Sequence, residues 1–246
     1  EGYDLTDFLI GEYYFSYGDQ VSRTIDVFRF PQSVQSKIDS HYGLKKLNVI
    51  TSGSPWMDGE LKSKAQNKAK EIVTFLLGEI WLHNGYYMGG NNPYTYFQKF
   101  EENKRIIDVL AEYSEKYDII IKSYPHDHRG VTMWQDYLKN RGVANIQIVS
   151  FQEGIESVLQ RSDLTISTWV STTFFQALYF DNDQFLFDNS DLTEQSRAII
   201  ENNCYFSDQI EDFSALLSKY LEEGKFYRKD KTELQNQFCD LGHRDT

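Results

Sequence analysis

From residue 71 onward the sequence alternates short apolar runs with longer segments whose apolar residues recur at helical spacing. That alternation limits the possible folds more than any other feature. The runs "EIVTFLLGEIW" (71–81), "DIIIKSY" (118–124), "NIQIVS" (145–150), "DLTIST" (163–168), "QFLFDN" (184–189) and "CYFS" (204–207) read as strands. They are short and rich in β-branched and aromatic residues. Between the first two, "NGYYMGGNNP" (84–93) is a loop by its Gly, Asn and Pro content. "YFQKFEENKRIIDVLAEYSEKY" (96–117) has apolar residues at 97, 100, 106, 107, 110 and 113, close to helical spacing. Helices are also predicted over 131–142, stopped by Gly142, and over 151–162, 171–181, 193–203 and 210–224. Strands alternating with helices across short joints predict right-handed crossovers and an α/β fold with a parallel sheet. Such a sheet is covered on both faces, so its strands should be apolar throughout. Ligands of such sheets sit at the carboxyl ends of the strands.

The first 60 residues form another, smaller α/β piece. "TIDVFRF" (24–30) reads as a strand, "PQSVQSKIDSHYG" (31–43) as a helix opened by Pro31, and "KLNVITSGSPWMDGE" (46–60) as a strand running into a loop. Polar "KSKAQNKAK" (62–70) is a linker. The expected organisation is 1–61, 71–225 and a helical tail, 226–246. The tail is expected to cross back to the first piece, burying Phe226, Leu234 and Phe238.

Charge and composition exclude several classes. A formal net charge of −12 argues against a nucleic-acid binder, whose footprint is basic. It leaves room for a small anionic ligand held by local cations. The longest apolar run is shorter than the ~20 residues of a membrane span and contains Glu79. Cys204 and Cys239 have no paired spacing and read as reduced thiols of a cytoplasmic protein. No signal peptide is visible, and the opening at Glu1 rather than Met leads us to expect sequence upstream.

Three segments fall at strand ends. "DIIIKSYPHDHRG" (118–130) brings Lys122, His126, His128 and Arg129 to the rim. A histidine and an arginine beside a helix start can hold a phosphate, and His126 can act as acid on a leaving phosphate. The competing reading is a pair of solvated loop histidines. "SDLTISTWVSTTFFQAL" (162–178) places Ser167, Thr168, Ser171, Thr172 and Thr173 at a strand-to-helix turn. Any one hydroxyl there is an ordinary helix cap, but five in seven residues exceed what one cap requires. In the third segment Gln152 and Glu153 follow a strand and suit ribose hydroxyls or a base edge, or else simply open a helix. His126 and His128 have no third ligand at zinc spacing, and neither a GxSxG nor a GxxxxGK[ST] pattern occurs.

In their order these pieces resemble the CDP-glycerol glycerophosphotransferase-like enzymes and related bacterial surface-polysaccharide glycosyltransferases, with the Kdo and sialic acid transferases. A "GxPxxD" turn is matched by Gly53, Pro55 and Asp58, and a "K-x-HP" motif by "KSYPHDHR" with Pro and His reversed. An "sDxxITDYSSxxFD" segment is matched at Asp163, Ile166, Ser171 and Phe174, and a "KPxxFxxxD" strand by "DNDQFLFDNSD". The resemblance runs from residue 26 to about residue 220. It implies a GT-B fold, two Rossmann-like domains facing across a cleft, with an abbreviated first domain and the donor nucleotide on residues 71–225. It implies a glycosyltransferase of capsule, lipopolysaccharide or other envelope polysaccharide assembly. The donor would be a CMP-, UDP- or CDP-linked sugar and the acceptor a saccharide or lipid-linked saccharide. Peripheral contact with the inner membrane face or with other assembly enzymes would follow. His126 and Arg129 would neutralise charge on the leaving phosphate without metal or other cofactor, and the general base would be Asp19 or Glu12. A glycerophosphotransferase, a sugar-nucleotide 2-epimerase and a nucleotide-binding scaffold module are the alternatives.

Overall fold

The computed structural model describes residues 13–16, 48–51, 69–78, 96–123, 128–150, 152–180, 182–190, 192–224 and 229–239. The chain divides into two compact units, Glu1–Glu60 with Lys231–Thr246, and Leu61–Asp230.

In the first unit, β1 (Tyr13–Ser16) pairs in parallel with β2 (Asn48–Thr51), Tyr13 opposite Asn48 and Ser16 opposite Thr51. The sequence predicts β2 but not β1, a four-residue run set among polar neighbours. The strand and helix expected over 24–43 and the linker at 62–68 lie outside the described residues. The helix α7 (Thr232–Cys239) belongs to this unit by chain grouping, and its Leu234 is buried. Phe226 and the Phe238 side chain lie outside the description.

The second unit is a parallel α/β sheet. Its elements are β3 (Ile72–Leu76), α1 (Tyr96–Glu112), β4 (Asp118–Lys122), α2 (His128–Asn140), β5 (Ile146–Val149), α3 (Ile155–Arg161) and β6 (Leu164–Ser167). They continue as α4 (Thr172–Ala177), β7 (Asp183–Phe187), α5 (Glu194–Asn203), β8 (Tyr205–Ser207) and α6 (Ile210–Glu223). The six strands lie in the order β5-β4-β3-β6-β7-β8.

Alternate residues of each strand face opposite layers. Val73, Phe75, Ile119, Ile121, Leu164, Ile166, Phe185 and Phe187 pack with Ile106, Ile107 and Leu110 of α1, Trp134 and Leu138 of α2, and Phe213 and Leu217 of α6. On the other face Leu76 meets Leu159 and Ala177, and Ile120 and Val149 meet Val158, so α3 and α4 cover it. This second face departs from the expected apolar pattern. Thr74, Thr165 and Gln184 form one buried row across three strands. The Ser162 hydroxyl donates to the Val158 carbonyl at 2.7 Å and so accepts from Thr74, 2.6 Å away. Gln184 donates to the Ala177 carbonyl at 3.0 Å. The ends of two short helices leave a hydroxyl and a carbonyl within reach of the sheet, and Thr74 and Gln184 bond to them, while the Thr165 hydroxyl between them has no hydrogen-bond partner among the described residues.

The turn after α1 locks that layer. Lys116 donates to the carbonyls of Leu221 and Glu222 at 2.7 and 2.9 Å, and the Tyr117 hydroxyl donates to Leu221 at 2.8 Å. These fill the open carbonyls at the end of α6, which stops at Gly224 in the left-handed region, φ 63°. No helix among the described residues is long and apolar enough to cross a membrane.

Candidate functional site

The strand order reverses at β3. Strands β4 and β5 extend the sheet on one side of it, and β6, β7 and β8 on the other. Connections from β3 and β6 depart in opposite directions, opening a crevice outside their carboxyl ends. The residues there are Leu77 and Gly78 after β3, and Thr168 and Trp169 after β6.

Gly78 sits in a tight corner. A Cβ placed on it would stand 3.3 Å from Thr168 Oγ1, 3.4 Å from Lys99 Cε and 3.6 Å from Lys99 Nζ. Lys99, in the first turn of α1, holds its ammonium 3.7 Å from the centre of the Trp169 ring, a cation–π contact. The crevice therefore carries a positive group on a chain of net charge −12.

Ser167 Oγ and Thr168 Oγ1 are buried with no hydrogen-bond partner among the described residues. One turn along α1 from Lys99, Asn103 is wholly buried, and neither atom of its amide has such a partner. Buried polar groups are paired in the great majority of cases. Ser167 ends β6 and Thr168 follows it, so two unpaired hydroxyls lie at the switch point, where a polar occupant would satisfy them.

The hydroxyl-rich turn resolves into different roles. Ser171 is the N-cap of α4, its hydroxyl accepting from Phe174 N–H at 3.2 Å. Its side chain is thus spent on its own helix, as the simpler reading expects. Thr172 opens α4 and Thr173 is half-buried in its first turn. Between Trp169 and Ser171, the Val170 N–H donates to Asp188 Oδ2 at 2.8 Å.

Lys122 ends β4 and is 6% exposed. Its ammonium donates to the Ser150 carbonyl at 2.8 Å. Burial lowers its pKa, against the opposing pull of Glu153. Glu153 accepts from Arg161 and, at 3.2 Å, from Ser157. The Arg161 hydrogen bond leads in holding its carboxyl below the usual range. That carboxylate is thus tied to its own helix, while Gln152 is exposed beside it.

The helix α2 begins at His128 rather than at 131, so His128 and Arg129 belong to its first turn and not to the preceding loop. His126, Asp19 and Glu12 lie outside the described residues, as do the side chains of Arg129 and Thr172. The structure brings Thr168 together with Gly78 and Lys99, and Lys99 with Trp169; of these, sequence reasoning singled out only Thr168. One signal for Gly78 was available: a glycine closing the run "IVTFLLG", where the strand was expected to continue to residue 81 but ends at Leu76.

No protein-family model matches the sequence, and no curated protein matches it. Solved structures do match by fold. The pneumococcal O-GlcNAc transferase GtfA, in complex with UDP and GlcNAc, is 10% identical with a TM-score of 0.51 over 87% of this chain and 39% of its own. HepE of Anabaena, in complex with UDP-glucose, is 11% identical with a TM-score of 0.50 over 94% of this chain and 60% of its own. The chain thus spans less than two thirds of either neighbour. The fold is GT-B like, with a Rossmann-type parallel sheet.

Proposed function

We propose that this chain carries the donor site of a glycosyltransferase, holding a UDP-linked sugar at the carboxyl ends of β3 and β6 for transfer to a saccharide hydroxyl. The observation that carries the reading is the buried, unpartnered hydroxyl of Thr168 beside Gly78 and the Lys99 ammonium, with Ser167, also unpartnered, next to it in sequence. UDP is favoured over CMP and CDP because both fold neighbours were captured with UDP or a UDP-sugar.

In this reading Gly78 lets the diphosphate approach the backbone, since any side chain there would enter the space between Thr168 and Lys99. The Thr168 and Ser167 hydroxyls donate to phosphate or sugar oxygens and so lose their unpaired state. As the bond from sugar to phosphate breaks, negative charge grows on the leaving UDP. Lys99 stands where it offsets that charge more strongly in the transition state than in the ground state. His126 and Arg129 would add to the same neutralisation, and Asp19 or Glu12 would take the acceptor proton. Assembly of a bacterial surface polysaccharide is the setting we assign to this transfer, with a saccharide or lipid-linked acceptor.

Calorimetric titration with UDP, CDP and CMP tests the reading. UDP is expected to bind tightest, and Lys99→Met to weaken it about tenfold or more, the loss of a charge-assisted contact. Wild-type protein that binds none of the three nucleotides would refute the donor site.

A further inference from the structure

Asp188 follows β7 directly and is 3% exposed. Both carboxylate oxygens accept from backbone: Oδ2 from Val170 N–H at 2.8 Å and Oδ1 from Ser190 N–H at 2.9 Å. Its own N–H donates to the Ser207 carbonyl at 3.2 Å, fixing it to β8. From that anchor the side chain reaches back across the sheet to the turn between β6 and α4. Val170 lies in that turn between Trp169, which carries Lys99, and Ser171, which caps α4.

The adjacent residue holds the other wall. Asn189 Nδ2 donates to Glu102 Oε1 at 3.1 Å. Glu102 lies on α1 between Lys99 and Asn103. The exit of β7 therefore grips both sides of the crevice, the turn bearing Thr168 and the helix bearing Lys99.

We infer that Asp188 is a positioning residue: it sets the Thr168–Ser171 turn so that the Thr168 hydroxyl is in place before a nucleotide arrives, and Asn189 sets α1 in the same way. The inference rests on the donor-site reading above. A carboxylate suits the task because it accepts at both oxygens. An asparagine in the same place keeps one acceptor and presents its NH₂ to the second backbone N–H. Ordering the turn in advance spares the ligand the cost of doing so, and a shift of a fraction of an ångström is enough to lose contacts.

The test uses the full chain, with UDP as the probe and calorimetry as the readout, beside amide exchange at Val170 and the melting temperature. Asp188→Asn is expected to speed exchange at Val170 and to weaken UDP binding about tenfold. Asn189→Ala, a change at an exposed residue, is expected to weaken UDP binding less, in the same direction. Asn145→Ala, which removes a contact with Glu115 at the amino ends of β4 and β5, is expected to leave UDP affinity unchanged. A lower melting temperature or faster exchange in Asp188→Asn with wild-type UDP affinity would make the residue purely structural and overturn the inference. Should Asp188→Asn fail to fold, Asn189→Ala decides, and unchanged affinity in that variant overturns the inference as well. Failure of the wild-type protein to bind UDP is a separate result: it removes the donor-site reading, and this inference with it.

Discussion

Gly78→Ala separates the two jobs a glycine can do at a strand end. Its φ lies outside the left-handed region, where Gly142 and Gly224 fall, so alanine fits the backbone. The added methyl would meet Thr168 Oγ1 at 3.3 Å and Lys99 Cε at 3.4 Å. Both distances are tight but short of a clash, and the lysine end is the flexible part of its side chain. Removing the glycine stiffens the unfolded chain, a gain of about 0.4–1 kcal/mol. The close contacts take back a similar amount, so unfolding in urea should move by less than about 1 kcal/mol. Binding should respond differently, because the methyl would occupy the corner through which, in the proposed function, a diphosphate approaches. Overfilling a packed space costs about 1–3 kcal/mol, which here falls on the complex. UDP affinity should therefore drop roughly five- to a hundredfold. The assay is calorimetric titration of UDP paired with a urea melt. A variant that binds UDP as wild type does would show that the ligand does not pass Gly78.

Other perturbations test other parts of the molecule. Burial lowers the Lys122 pKa, so the folded state favours the neutral amine and its contribution to stability grows as pH rises from that lowered pKa to the ordinary 10.5; Lys122→Met should abolish this alkaline rise in a pH series of melts. Gly224→Ala should cost about 1–2 kcal/mol, since alanine is strained at φ 63° and its methyl would stand 3.1 Å from Lys116 Nζ, and urea melts should show the loss with UDP affinity intact. The Glu153 carboxyl is held below its ordinary 4.5 chiefly by the Arg161 hydrogen bond, so it stabilises the fold above that value and the gain fades as acid protonates it. Glu153→Gln should therefore melt below wild type at neutral pH and converge with it in strongly acid solution.

The apolar runs made most of the second unit legible. "DIIIK" and "QFLFD" needed only their β-branched and aromatic content to be placed in the sheet. Errors arose where a local pattern met a distant partner. The helix expected over 96–117 stops at Glu112 because Lys116 and Tyr117 are drawn off to the end of α6, about a hundred residues away. Thr74 and Gln184 broke the apolar rule because short helices left acceptors facing the sheet, which no strand sequence announces. The density of hydroxyls at 167–173 drew attention to the turn after β6 but could not tell the cap, Ser171, from the unpaired Ser167 and Thr168. Lys99 and Asp188 gave no local sign, since each reaches the turn after β6 by tertiary packing alone.

The place of β3 in the sheet also bears on how the chain folds. It pairs first with β4, its near neighbour in sequence, yet its other edge waits for β6, with Ile72 held by Asp163 from 91 residues away. Closing so long a loop is entropically costly and slows assembly. A nascent chain can complete β5-β4-β3 while one wall of the crevice is still unformed. The proposed nucleotide site is then among the last features to mature, and recovery of UDP binding should lag behind recovery of helical signal in refolding.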